Sequence, residues 1–216
     1  MRNNFNTELR ELGCSMLEMA AAAEDAIDMV AASLSMEDGG SVEEALALTK
    51  KMDQMERDIE NRCFQLLLTQ QPVASDMRTI SAALKMVTDL QRIGVQCANI
   101  AEMSLLLSKQ GKTIQVGDIR LMSQKAGAMV KQAISAYVNQ EKDAAQRVVD
   151  LDEDVDQLFQ SVKSQLVEII AGSKQNADQA VDYIIIAKYL ERIADHAVNI
   201  AQWAIYCVTG QVPVTN

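Results

Sequence analysis

Proline is almost missing from this chain: only Pro72 and Pro213 occur in 216 residues, so long stretches carry nothing that breaks a helix. Aromatic residues are equally scarce, at 4%, and the 49% apolar content comes mainly from Ala, Leu, Ile, Val and Met. That balance fills a packed core, excludes a disordered chain and favours an all-α fold. Positive charge is also in short supply. Twenty Lys and Arg against thirty Asp and Glu leave a net charge of −10, which excludes a sizeable nucleic-acid footprint and disfavours an anionic membrane surface. The strongly apolar runs, such as Tyr183 to Ala187, fall far short of the ~20 residues that span a bilayer. The opening Met1-Arg-Asn-Asn-Phe-Asn-Thr-Glu lacks the apolar core of a signal peptide, so a cytoplasmic location is expected. Cys14, Cys63, Cys97 and Cys207 form no C-x-x-C pair and fall near apolar helical positions. They read as buried thiols in a reducing compartment, neither disulfides nor zinc ligands. With a single histidine, no G-x-S-x-G and no phosphate-binding loop, the chain does not look like an enzyme.

What is present is helical periodicity. Leu9, Leu12, Met16, Met19, Ala23, Ile27, Val30 and Leu34 step by three or four and predict one long helix from Phe5 to about Asp38-Gly39-Gly40. Ser41 with Glu44 makes a capping-box pattern before a second stripe, Val42, Leu46, Met52, Met55, Ile59, Cys63 and Leu66, which stops ahead of Gln71-Pro72. A third runs through Met77, Ile80, Leu84, Val87, Leu90, Cys97 and Ile100 to the break at Lys109-Gln110-Gly111-Lys112. After Gly117-Asp118 the pattern restarts with Ile119, Met122, Ala126, Met129, Ala133 and Tyr137, stopping at Asn139. A fifth helix carries Ala144, Val148, Leu151, Val155, Leu158 and Val162 up to Gly172. The sixth carries Val181, Ile185, Leu190, Ile193, Ala197, Ile200 and Ala204 up to Gly210. The methionines Met16, Met19, Met29, Met52 and Met55 suit core filling better than an adaptable partner surface.

The third and sixth helices repeat one another at an offset of 100 residues. Leu90-Gln-Arg92-Ile93-Gly-Val-Gln-Cys-Ala-Asn99-Ile100-Ala101 lies over Leu190-Glu-Arg192-Ile193-Ala-Asp-His-Ala-Val-Asn199-Ile200-Ala201, identical at six of twelve positions. Shared Arg and Asn are not demanded by packing alone. The expectation is two tandem up-down-up three-helix bundles, residues 1–112 and 113–216, lying side by side and each with its own core.

Carboxylates stand at helical spacing in the second half. Asp152 and Asp156 flank Val155, and Glu191 and Asp195 flank Leu190 and Ala194, each pair one turn apart on one face. Such a pair repels by about 0.2–0.5 kcal/mol in an isolated helix, so something must offset it. Either the four carboxylates serve a hard cation such as magnesium, calcium, manganese or iron, whose oxygen ligands can also take zinc, or they form a solvated acidic face. His196 lies five residues past Glu191 and makes no Glu-x-x-His pair, which argues against a ferritin-like dinuclear oxidase.

The segment Gln71-Pro-Val-Ala74-Ser-Asp76-Met-Arg78 resembles the Q-P-x-A-x-D-L-R signature of PhoU proteins, with Met77 in place of Leu. Leu90-Gln-Arg92-Ile93-Gly94 and Leu190-Glu-Arg192-Ile193-Ala194-Asp195 resemble the family's twice-repeated E-R-I-G-D motif. The resemblance, which covers nearly the whole chain, implies a cytoplasmic negative regulator of phosphate uptake and phosphate-starvation signalling. Such a protein is an adaptor between the ATPase subunit of the phosphate ABC transporter and a sensor histidine kinase, brought to the inner face of the membrane by its partners. Some members bind an iron or zinc cluster on each bundle through a D-x-x-x-D pair and an E-x-x-x-D. Carried onto this chain, Asp152, Asp156, Glu191 and Asp195 keep the full set. The first-half counterparts are Thr49, Asp53, Gln91 and Val95. The implied metal site, iron or zinc with magnesium, manganese and calcium left open, therefore falls on the second bundle only. Arg78, Arg92, Arg192, Asn99 and Asn199 read as structural, and a family-like homodimer is compatible with the sequence. A metal-binding bundle for storage or redox chemistry is the alternative from another class, and stoichiometric iron with oxygen chemistry would favour it.

Overall fold

A computed structural model of the protein describes residues 2–34, 41–69, 72–110 and 114–213, with the side chains of 5–34, 42–68, 72–110, 114–173 and 175–213. Its helices are α1 (Arg2–Leu34), α2 (Ser41–Thr69), α3 (Ala74–Lys109), α4 (Gly117–Asn139), α5 (Lys142–Asp150), α6 (Asp152–Gly172) and α7 (Ala177–Thr209), with a 3₁₀ turn at Lys174–Asn176 before α7. There is no strand among the described residues. The expected stop at Asp38-Gly39-Gly40, the Ser41 side chain of the capping box, Gln71 and the Gly111-Lys112 break lie outside the described residues.

The repeat is visible in the helix order: α1, α2 and α3 correspond to α4, α5 with α6, and α7. The fifth predicted helix comes in two pieces. Leu151 stays right-handed, at φ −74° and ψ −15°. Its N–H is shared between Arg147 O (3.1 Å) and Val148 O (3.2 Å), and the Asp154 N–H reaches Leu151 O at 3.1 Å. This tighter i→i+3 winding falls within Asp150-Leu-Asp152-Glu-Asp154, where a straight helix would stack like charges in mid-course. The break instead puts Asp152, Glu153 and Asp154 into the first turn of α6, where the helix dipole favours carboxylates.

The ends of other elements follow local chemistry. Asp76 Oδ2 accepts the Val73 N–H at 3.1 Å and satisfies one orphan donor at the start of α3. Helix α4 ends at Asn139 as expected, with Gln140 left-handed at φ 56°, and α7 ends on left-handed Gly210 at φ 74°.

The predicted separate cores are replaced by one. Leu12, Met16, Ile27, Met52 and Ile59 from the first half and Met122, Val155, Leu166 and Ile186 from the second belong to a single buried cluster. The halves meet along two seams, α3 against α7 and α1 against α4. Both crossings are antiparallel. Arg78 near the start of α3 meets Cys207 near the end of α7, Asp89 meets His196 midway, and Gln110 at the end of α3 meets Asp182 near the start of α7. At the other seam Gly127 faces Ile27 and Gly13 faces Val138, with room for a methyl at both. A methyl added to Gly127 would lie 3.6 Å from Ile27, and one added to Gly13 would lie 3.8 Å from Val138.

Met16, Met19 and Met52 are fully buried and Met29 and Met55 pack against the core, as core filling requires. Met77, Val181 and Ile185, placed on apolar stripes from the sequence, are exposed at 44, 47 and 37%. In this first part of α7 the buried apolar positions are Ala180, Tyr183, Ile186 and Ala187. The run from Val181 to Ala187 is apolar nearly all round, so spacing alone does not choose among its faces. Cys14 also departs from expectation and is exposed.

Candidate carboxylate site

The four carboxylates come from two adjacent helices. Asp152 opens α6, Asp156 follows one turn on, and Glu191 and Asp195 project from the middle of α7, which packs directly on α6. Val155, Leu190 and Ala194, at 1, 0 and 0% exposure, anchor the two backbones beneath them. The apolar stripe thus forces its flanking acids towards one another.

Their electrostatics show the proximity. Burial pushes the Asp152 carboxyl up to about 6, helped by Asp156, Asp195, Glu191 and Glu153 in that order. Asp156 is raised by burial and then by Glu191 and Glu153, against the lowering effect of Lys188. Asp195 is raised by burial and Glu191, offset by Lys188 and His196. Lys188, one turn before Glu191, forms an ion pair with Glu191 Oε2, and its Nζ lies 5.5 Å from the centre of the Phe159 ring on α6. Glu191 Oε2 is sealed from solvent and accepts no well-directed hydrogen bond. Among the described residues no three His, Cys, Asp or Glu side chains converge closely enough to hold a metal ion as they stand. The backbones bring the four acids within Coulombic range of one another. An all-oxygen donor set of this kind fits a hard cation by its chemistry.

The first half solves the same position differently. Gln91 Nε2 donates to Asp53 Oδ1 at 3.0 Å, Thr49 Oγ1 donates to Leu46 O at 3.0 Å, and Val95 is 42% exposed. One carboxylate, already held by an amide, replaces four. Gly94 sits where the second half has Ala194, and a methyl there would come within 3.1 Å of Met52 Sδ.

A second polar cluster lies at the α3–α7 seam. The buried Asp89 Oδ1 sits 2.9 Å from His196 Nδ1, and Asn199 Nδ2 donates to the same oxygen at 3.4 Å. Asn199 therefore bridges helices as expected. Arg78 has the same kind of role, donating from Nε to Cys207 O at 3.3 Å, while Arg92 and Arg192 are exposed. Burial pushes Cys63, Cys97 and Cys207 up to about 12, which leaves these thiols inert.

The model of the PhoU domain matches this chain twice, over residues 16–104 and again over 119–204. The chain belongs to the PhoU family. The phosphate-specific transport system accessory protein PhoU homolog of Clostridium acetobutylicum is 33% identical over 211 residues, covering 97% of this chain and 96% of that protein. The crystal structure of PhoU from Pseudomonas aeruginosa superposes with a TM-score of 0.91 at 30% identity, covering 96% of this chain and all of that one. The phosphate transport system regulatory protein PhoU from Streptococcus pneumoniae shares the fold, with a TM-score of 0.88 at 24% identity. The doubled PhoU match follows the helix repeat, and its Pro72–Arg78 signature has a structural use: Asp76 caps α3 and Arg78 ties α3 to the end of α7. Sequence reasoning missed Lys188 and Asp89. Both left a signal, an ammonium at i,i+3 from Glu191 and a carboxylate among Met86, Val87, Leu90 and Ile93 on a buried face.

Proposed function

We propose that this PhoU-family protein is a negative regulator of phosphate uptake and phosphate-starvation signalling, working as a cytoplasmic adaptor. Its partners are the ATPase subunit of the phosphate transporter and a sensor histidine kinase, which bring it to the inner face of the membrane. Near full-length similarity to an accessory protein of the phosphate-specific transport system carries this reading. Other features agree with it. The long helices offer broad docking faces, the described residues include no helix long and apolar enough to cross a membrane, and the chain carries a net charge of −10. The tandem halves, 1–112 and 113–216, work in this reading as one rigid platform, because their apolar side chains share a core.

We further propose that Asp152, Asp156, Glu191 and Asp195 hold a hard cation, iron or zinc in the family manner or manganese, magnesium or calcium by donor type, on the second half alone. Bound there, the ion would neutralise the acidic face and lock α6 to α7. The four-carboxylate donor set on two packed helices supports the site, and the Gln91–Asp53 hydrogen bond supports confining it to the second half.

The first experiment is a phosphate-starvation reporter in phosphate-rich cells with and without the gene. Deletion is expected to switch the reporter on and the restored gene to silence it. A reporter that ignores both changes rejects the regulator reading.

A further inference from the structure

Lys188 is the one cation paired within the carboxylate site among the described residues, and its placement is specific. Its Nζ pairs with the sealed Glu191 Oε2. The Lys188 side chain is 45% exposed and that of Glu191 15%, so a solvent-facing arm reaches a mostly buried carboxylate. An ammonium in that place does the work of a metal ion, offsetting the repulsion that stacked carboxylates would otherwise impose. The two cations compete for the same oxygen.

In the same pose Nζ lies 5.5 Å from the centre of the Phe159 ring, so the ion pair and the cation–π contact are made together. Of this device the first half keeps one carboxylate, Asp53. At the offset that aligns α3 with α7, Thr88 stands for Lys188, and at the offset that aligns Asp53 with Asp156, Glu56 stands for Phe159. Ammonium, ring and three of four carboxylates are absent together.

We propose that Lys188 is a built-in cation of the carboxylate site that is exchanged for metal, leaving Glu191 for solvent as the ion enters. The inference rests on the metal reading above. It makes Lys188 the residue that sets the metal concentration at which the site fills.

The test titrates the full-length protein with Mn²⁺ and follows the free-ion spin-resonance signal in wild type, Lys188→Met, Lys188→Arg and Asp152→Asn/Glu191→Gln, each checked for native helix content. Lys188→Met is expected to bind at least about tenfold more tightly than wild type, and Lys188→Arg, which keeps the competing charge, to stay near it. In parallel, acetylation of Lys188 in the wild-type protein, read by peptide mass spectrometry, is expected to speed up several-fold when Mn²⁺ is added. Saturable binding with equal affinity in wild type and Lys188→Met, or acetylation unchanged by bound Mn²⁺, overturns the exchange and leaves the metal reading standing. Binding no greater than that of Asp152→Asn/Glu191→Gln in every variant overturns both.

Discussion

Asp152 is the residue in which the energetic tension of the site is concentrated. Its carboxyl titrates near 6 in the folded chain against an ordinary value of 3.8, because burial and four neighbouring acids all penalise the anion. An acid raised on folding stabilises the native state below its unfolded value, and that contribution is lost as pH rises through the folded value. Metal-free protein should therefore lose stability between about pH 4 and 7 at this position. Asp152→Asn should stabilise it at pH 7 by on the order of 1 kcal/mol, after discounting for solvent screening, and give no gain at pH 4. Chemical denaturation of both proteins at the two pH values checks this, and a gain independent of pH would refute the electrostatic cause. The four acids were legible in the sequence because i,i+4 spacing on a helix fixes a shared face. The position of Lys188, three residues before Glu191, was legible too, but spacing does not show which of several neighbours its long side chain engages.

At the scale of elements, five of the six predicted helices form as continuous rods and the fifth breaks at Leu151. Hydrophobic spacing carries no sign of that break, because Val148, Leu151 and Val155 keep the apolar register through it. Charge does: the break coincides with the densest run of Asp and Glu in the helix. Helix ends were the other readable feature, with Asn139 and Gly210 both marking stops. Gly210 is left-handed and packs 3.7 Å from Arg78 Cδ once a methyl is placed on it, which is ordinary contact. Gly210→Ala should therefore cost about 1 kcal/mol from backbone strain alone, with no steric penalty. Denaturant midpoints of the two proteins measure it, and a cost several times larger would mean that the Arg78 contact had been lost as well.

For the whole molecule, the α3–α7 seam decides whether two halves behave as one. Removing His196 leaves the buried Asp89 carboxylate with one long hydrogen bond from Asn199, so His196→Ala should cost about 1–3 kcal/mol. Asp89→Asn/His196→Ala should recover part of that loss, as a double-mutant cycle would show. Unfolding should remain a single transition throughout, because the core is continuous across the seam. Two separated transitions in the wild type would contradict it. The sequence by itself determined the helices, their pairing into a repeat, the family and the four acids, because each is written in local spacing or in motifs a few residues long. Only the tertiary structure decided that the two halves share one core, that Asp89 meets His196 more than one hundred residues away, and that an ammonium from α7 stands among the acids of α6 and α7. Those contacts depend on how helix faces meet across long stretches of chain, and periodicity along one helix holds no information about the face opposite.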